Sequence, residues 1–183
     1  GRDWSSDVCS SDHPILGPEM KSTGEVMGTG KTFAAAFARA QLGAGDDPPT
    51  SGLCLISVRD ADKAAAIAVA RRLIARGFTL AATGGTANAL ESAGLSVRRV
   101  NKVAEGRPHI VDLIKNDEAA MIINTTEGRR AIMDSASIRA SAEQHRVFYT
   151  TTLAAAEAVC MALEQETDIT VRRLQDLHQS IAV

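Results

Sequence analysis

From residue 53 onward, short apolar runs alternate with stretches in which apolar residues recur every three to four positions. The short runs predict buried β-strands, and the recurrent spacing predicts amphipathic helices. The predicted strands are 53–58, 78–82, 96–100, 119–125 and 146–149. The predicted helices are 61–76, 86–93, 109–115, 132–145, 153–163 and 168–180. This alternation predicts an α/β fold, a doubly wound parallel sheet with flanking helices, whose ligands bind at the carboxyl ends of the strands.

The residues before the first predicted strand differ in character from the rest. Residues 1–12 are rich in Ser and Asp and lack periodicity, which indicates a non-native leader such as a translated adapter; the alternative is an ordinary polar leader. An Ala-rich helix is predicted at 31–42, followed by a Gly- and Pro-rich linker. We therefore divide the chain into a leader (1–12), a short helical segment with its linker (13–47) and the α/β domain (48–183).

Composition and charge narrow the class of protein. Hydrophobic residues make up 45% and charged residues 23% of the chain, values typical of a globular domain. A net charge of −2 gives no electrostatic footprint for nucleic acid or an anionic membrane, and no apolar run approaches the ~20 residues of a membrane span. The three cysteines lack metal-ligand spacing, and their odd number argues against a disulfide framework. We therefore expect a cytoplasmic protein without nucleic-acid or membrane partners.

One motif, GTGKT at 28–32, is a near match to a nucleotide-binding P-loop. A P-loop requires a glycine at position 25, where this chain has Glu25, and it must follow a strand, which the pattern here does not predict. The NTPase hypothesis, with Lys31 as its phosphate-binding lysine, is therefore disfavoured.

A better anion site is Thr83-Gly84-Gly85-Thr86, between a predicted strand and the next helix. Two glycines allow close approach of the backbone to a phosphate, and a helix N-terminus supplies free N–H groups and a positive dipole. The alternative is an ordinary strand-to-helix turn capped by a threonine. The tetrapeptide alone leaves both interpretations open.

Further polar residues follow the other predicted strands. A cation in the first turn of a helix, such as Lys63, is disfavoured by ~0.3–1 kcal/mol unless an anion lies nearby. Each lysine alone fits a solvated surface charge, but their joint placement suits a phosphorylated ligand such as a nucleotide. The candidate residues at these strand ends are Ser57, Lys63, Lys102, Asn124, Thr125 and Thr126. No catalytic or metal-binding constellation is predicted, and Cys54 and Cys160 fit small core residues.

Several longer strings resemble a known family. LGPEMKSTGEVMG with KTFAAAFARAQLG is similar to the end of the second ATP-grasp half of carbamoyl-phosphate synthase large chains. The following strings resemble the C-terminal allosteric domain of that family, which has a methylglyoxal-synthase-like fold: SVRDADK (57–63), ATGGTANAL (82–90), VNKVAEGRPHIVDLIKN (100–116), IINTTEGRRAIMDS (122–135) and YTTTLAAA (149–156). The resemblance covers residues 16–183 and implies a C-terminal fragment of a longer protein.

The resemblance implies a function for the parent protein. Such large chains make carbamoyl phosphate from bicarbonate, glutamine and ATP, with Mg or Mn, for arginine and pyrimidine biosynthesis. It further implies a separate small glutaminase chain and an oligomeric parent. The fragment itself is expected to be non-catalytic and without a cofactor. The alternative, a free methylglyoxal synthase (a lyase), is disfavoured because EGRPHI and NTTEG carry Arg, Pro and Thr where that family's aspartates are expected.

The resemblance also implies roles for individual residues. Uridine monophosphate, an inhibitor, or inosine monophosphate, an activator, would bind at Ser57, Lys63, Thr83, Gly84, Gly85, Thr86, Lys102, Asn124, Thr125 and Thr126. Tyr149 and Thr151 match positions that contact ornithine, another activator. The chain departs from the family at Gly84, where His is frequent, and at Thr150, where Asp is common.

Overall fold

The computed structural model describes residues 26–165 and Gln175. Over these residues the strands are β1 (Gly52–Ser57), β2 (Phe78–Thr83), β3 (Arg98–Val100), β4 (Ala119–Asn124) and β5 (Phe148–Thr150). The helices are α1 (Phe33–Ala44), α2 (Lys63–Ala75), α3 (Gly84–Ser92), α4 (Ile110–Lys115), α5 (Gly128–Gln144) and α6 (Leu153–Leu163). Two short 3₁₀ turns, Asp60–Asp62 and Val103–Glu105, follow β1 and β3.

The five described strands form one all-parallel sheet in the order β3-β2-β1-β4-β5. The first strand along the chain, β1, is the central strand of the sheet. Strands β2 and β3 follow on one side of it, and β4 and β5 then follow on the other side. This order confirms the prediction of a doubly wound parallel α/β sheet. The direction of winding reverses between β1 and β4, and such a switch point leaves a crevice outside the carboxyl ends of its strands.

The core lies on both faces of the central strands, because their successive side chains point to opposite faces. Ile56 and Ile123 pack on one face with helices α2, α3 and α6, whereas Leu55 and Ile122 pack on the other with α4 and α5. Burial on both faces explains why these strands appear in the sequence as continuous apolar runs. Cys54 and Cys160 are buried free thiols in the first cluster, as predicted.

The short helical segment before the sheet packs against the domain. Helix α1 begins after Thr32, whose hydroxyl accepts a hydrogen bond from the Ala35 N–H at 3.2 Å, and it ends at Gly45 in the left-handed region with φ +80°. It packs along α6, and Phe37 contacts the core. The helix therefore extends to Ala44, past the residue at which the sequence pattern predicted the linker to begin.

Several element boundaries differ from the sequence predictions; β3 and β5, for example, each begin two residues later than predicted. Helix α2 begins at Lys63 rather than at 61, because Asp60–Asp62 form a 3₁₀ turn. Helix α3 begins at Gly84 rather than 86, and α5 begins at Gly128 rather than 132. The predicted leader 1–12 and the predicted helix 168–180, apart from helical Gln175, lie outside the described residues. Within the described part of the chain, no helix is both long enough and apolar enough to cross a membrane.

Candidate functional site

The carboxyl ends of β1, β2 and β4 meet at the switch point of the sheet. Ser57 and Asn124 are paired in the register of β1 and β4. The Thr125 N–H donates to the Ser57 carbonyl at 3.0 Å, and the Ser57 and Thr83 hydroxyl oxygens lie 3.0 Å apart. The strand order therefore brings together predicted site residues that lie 26 to 68 positions apart in the chain.

A cavity of about 360 Å³ opens beside these strand ends, within the size range of small-molecule sites. Five of the ten predicted effector residues line it, namely Ser57, Lys102, Asn124, Thr125 and Thr126. The other lining residues are Val58, Arg59, Asp60, Val103, Ala104, Ile110, Glu127, Ser135 and Ile138. The wall thus combines apolar side chains with hydroxyl, amide and charged groups, as expected of a site for a polar ligand.

Two of the remaining predicted residues, Thr83 and Thr86, have hydroxyls that are engaged within the protein. Thr86 is buried; its hydroxyl accepts from the Val58 N–H at 3.1 Å and donates to the Val58 carbonyl at 3.3 Å. Thr83 is the N-cap residue of α3 by position, yet its side chain makes no capping hydrogen bond. Its hydroxyl lies against Ser57 instead. The first N–H groups of α3 therefore have no partner in the Thr83 side chain, so the structure lacks the threonine cap of an ordinary turn.

Lys63 and Gly85 meet at the start of α3. A Cβ atom on Gly85 would stand 3.0 Å from the Lys63 Nζ, so the bare glycine makes room for the ammonium. Lys63 forms an ion pair with Asp60, with 2.6 Å between Nζ and Oδ1. A side chain on Gly84 would meet nothing within 4 Å, so that position accommodates glycine or a larger residue. The ammonium therefore stands where the dipole of α3 favours an anion.

The loop between β1 and α2 is held by a second ion pair. Arg59 Nε lies 2.9 Å from Asp62 Oδ2, and the backbone N–H of Arg59 donates to the Thr125 hydroxyl at 3.1 Å. A hydrogen bond from Arg59 and, to a smaller extent, one from Thr125 hold the pKa of the Asp62 carboxyl below its usual value. Arg59 and Asp62 thus fix the loop and leave Asp60 as the partner of Lys63.

Tyr149 and Thr151 line a second, larger cavity of about 790 Å³ between α1, α5 and the end of β5. Tyr149 also reaches the first site, because its hydroxyl accepts a hydrogen bond from the Asn124 side chain at 2.8 Å. Thr150, where the resemblance led us to expect Asp, lines the same cavity and is buried. The predicted ornithine residues therefore lie apart from most of the nucleotide residues, and the Asn124–Tyr149 hydrogen bond connects the two groups.

Comparison with known proteins identifies the domain. A family model described as the MGS-like domain matches residues 65–151. The chain contains an MGS-like domain. Carbamoyl phosphate synthase large chains of Pseudomonas putida and Pseudomonas syringae pv. tomato are 63% and 64% identical to it over 168 residues. The large chain of Xanthomonas axonopodis pv. citri is 58% identical. Each alignment covers 92% of this chain and 16% of the relative, which confirms the predicted resemblance.

Sequence reasoning missed three charged residues at the smaller cavity: Arg59, Asp60 and Glu127. Their positions next to Ser57 and Thr126 at the strand ends were visible in the sequence. Their roles were not, because exposed charges near a loop are usually solvated. The 3₁₀ turn after β1 brings Asp60 next to Lys63 and so gives Asp60 a defined partner in the site.

We expect the Tyr149 phenol to ionise above its ordinary pKa of about 10, because burial raises the pKa of this group. The Asn124 amide opposes this effect by donating to the phenolate, so Asn124→Leu should raise the pKa further. Tyr149 is the only tyrosine of the chain, so an ultraviolet absorbance titration measures it directly. A midpoint at or below the ordinary value, or a decrease in the Asn124→Leu variant, would contradict the observed environment.

Proposed function

We propose that the MGS-like domain binds a nucleoside monophosphate effector, uridine or inosine monophosphate, at the carboxyl ends of β1, β2 and β4. The observation that carries the proposal is the placement of the Lys63 ammonium and bare Gly85 at the start of α3, where Thr83 makes no cap. A phosphate at this place would interact with the ammonium, the free N–H groups and the positive end of the helix dipole together.

The adjoining cavity suits the nucleoside part of such a ligand. Ile110 and Val103 offer apolar surface for a base, whereas Asn124 and Thr126 offer hydrogen-bonding groups. Lys102 supplies a second cation, and its backbone N–H is held by the Glu105 carboxylate at 2.8 Å. The effector site would comprise Ser57, Lys63, Thr83, Gly84, Gly85, Thr86, Lys102, Asn124, Thr125 and Thr126. Of these, Thr83 and Thr86 would act mainly by positioning the loops.

The chain spans 16% of the length of the large chains it resembles, so the activity of the whole protein is part of the proposal. We propose that the parent is a glutamine-dependent carbamoyl-phosphate synthase that uses ATP with Mg or Mn and serves arginine and pyrimidine biosynthesis. It would work in the cytoplasm as an oligomer with a small glutaminase chain. The effector domain would occupy residues 48–183, after the end of an ATP-grasp half and its linker at 13–47. Ornithine would bind in the larger cavity at Tyr149 and Thr151.

Effector binding would regulate the synthetase by shifting the populations of its active and inactive conformations. A ligand does this only to the extent that it binds the two conformations with different affinity. The Asn124–Tyr149 hydrogen bond supports communication between the two cavities, because each partner lines one of them. The lyase alternative gains no support, since the relatives compared are named as synthase large chains.

Calorimetric titration tests the effector proposal. Uridine monophosphate and inosine monophosphate are titrated into the chain, with uridine as the matched ligand that lacks the phosphate. We expect saturable binding of at least one monophosphate and much weaker binding of uridine. Equal binding of uridine and its monophosphate would exclude the phosphate site. Absence of binding by both monophosphates, to a chain shown to be folded by circular dichroism, would contradict the proposal altogether.

A further inference from the structure

Asp60 is paired with one of the two lysines of the proposed phosphate site. Its Oδ1 lies 2.6 Å from the Lys63 Nζ, and it lines the cavity together with Lys102. The side chain of Asp60 is 94% exposed, so no packing holds it there. The 3₁₀ turn brings Asp60 next to Lys63, and the ion pair with Lys63 is the contact that the structure gives this carboxylate.

Among the described residues that line the cavity, Arg59 and Glu127 form no ion pair with Asp60. Arg59 is paired with Asp62, and Glu127 lines the cavity as a second carboxylate. The hydrogen bond and charge of Lys63, with a further contribution from the charge of Lys102, hold the pKa of the Asp60 carboxyl below its usual value. Asp60 thus stays ionised at neutral pH and serves as the counter-anion of the site.

We infer that Asp60 competes with the phosphate group of the ligand for Lys63. Its carboxylate pairs with the Lys63 ammonium in the free protein and leaves it when the ligand binds. The inference rests on the proposed function. It follows from the position of Lys63 beside Gly85 at the start of α3, where a cation needs a nearby anion. In the free protein Asp60 is that anion, and a phosphate would replace it with a larger charge and more acceptor atoms.

Removal of this competitor should strengthen ligand binding. An exposed ion pair is a weak contact, so we expect Asp60→Asn to tighten uridine monophosphate binding about two- to five-fold. Glu127→Gln is the matched control, because it removes one negative charge from the same cavity without touching Lys63. We expect it to change the affinity less than Asp60→Asn does, since general electrostatics at an exposed site are screened.

A double-mutant cycle separates competition from general repulsion. In a Lys63→Ala background, Asp60→Asn should change the affinity no more than Glu127→Gln does, because the group for which Asp60 competes is gone. If Asp60→Asn and Glu127→Gln have equal effects with Lys63 present, or if the effect of Asp60→Asn persists without Lys63, the inference is wrong while the proposed function stands. If none of these chains binds the monophosphate, the proposed function fails and the inference with it.

An NMR titration tests the ion pair without any ligand. The carbon-13 resonance of the Asp60 carboxyl should show a pKa below the usual value in the unmodified chain and a return towards that value in Lys63→Ala. An unchanged pKa in Lys63→Ala would show that Asp60 is not held by Lys63, and would overturn the inference whatever the binding data show.

Discussion

Replacing Lys63 by alanine should weaken uridine monophosphate binding about 10- to 100-fold. A hydrogen bond between charged groups contributes about 1.5–3 kcal/mol, and each 1.4 kcal/mol corresponds to a tenfold change in affinity. The Lys63 ammonium lies next to Gly85 at the start of α3, so a phosphate there would lose a charged partner. Calorimetric titration of the variant measures the change.

Lys115→Ala is the matched control for this experiment. Lys115 is an exposed lysine in the last turn of α4, outside the two cavities, and the substitution changes the net charge of the chain by the same amount. We expect its affinity for uridine monophosphate to match that of the unmodified chain. An equal loss in both variants would mean that net charge, and not the Lys63 contact, governs binding. An unchanged affinity in Lys63→Ala would place the phosphate elsewhere.

The fold was predictable because its signals are local. The central strands contain unbroken apolar runs such as 53–56 and 121–123, which are typical of parallel strands buried on both faces. The order of the strands was not predictable, because the pairing of β1 with β4 joins residues more than 60 positions apart. The candidate residues for a site could nevertheless be chosen in advance, since all parallel strands end at the same edge of the sheet.

The details of the candidate site depend on two short segments in which helix propensity does not predict where the helix begins. Glycine is a weak helix former, so the pattern placed the start of α3 at Thr86, although the helix begins at Gly84. A helix was predicted to begin at residue 61, yet Asp60–Asp62 form a 3₁₀ turn that places the Asp60 carboxylate next to the Lys63 ammonium. Both departures lie where a ligand would bind, and sites of this kind are where local sequence rules are expected to fail.

Replacing Thr86 by valine should destabilise the domain by about 2–3 kcal/mol, because the Val58 N–H and carbonyl would both lose their partner in a buried place. Valine has nearly the shape of threonine, so the loss reflects the hydroxyl and not a cavity. Urea unfolding followed by circular dichroism measures the free energy of unfolding, and we expect an unchanged dependence on urea concentration.

Two control variants separate the structural role of Thr86 from a ligand contact. Thr86→Ser keeps the hydroxyl and should retain most of the stability and the affinity for uridine monophosphate. Thr79→Val makes the same chemical change at an exposed position of β2 and should alter the stability by no more than about 0.5 kcal/mol.

Because Val58 follows Ser57 directly, Thr86→Val should also loosen the strand end that lines the cavity and so weaken binding. If that variant loses affinity while its stability is unchanged, the hydroxyl contacts the ligand instead of holding the loop.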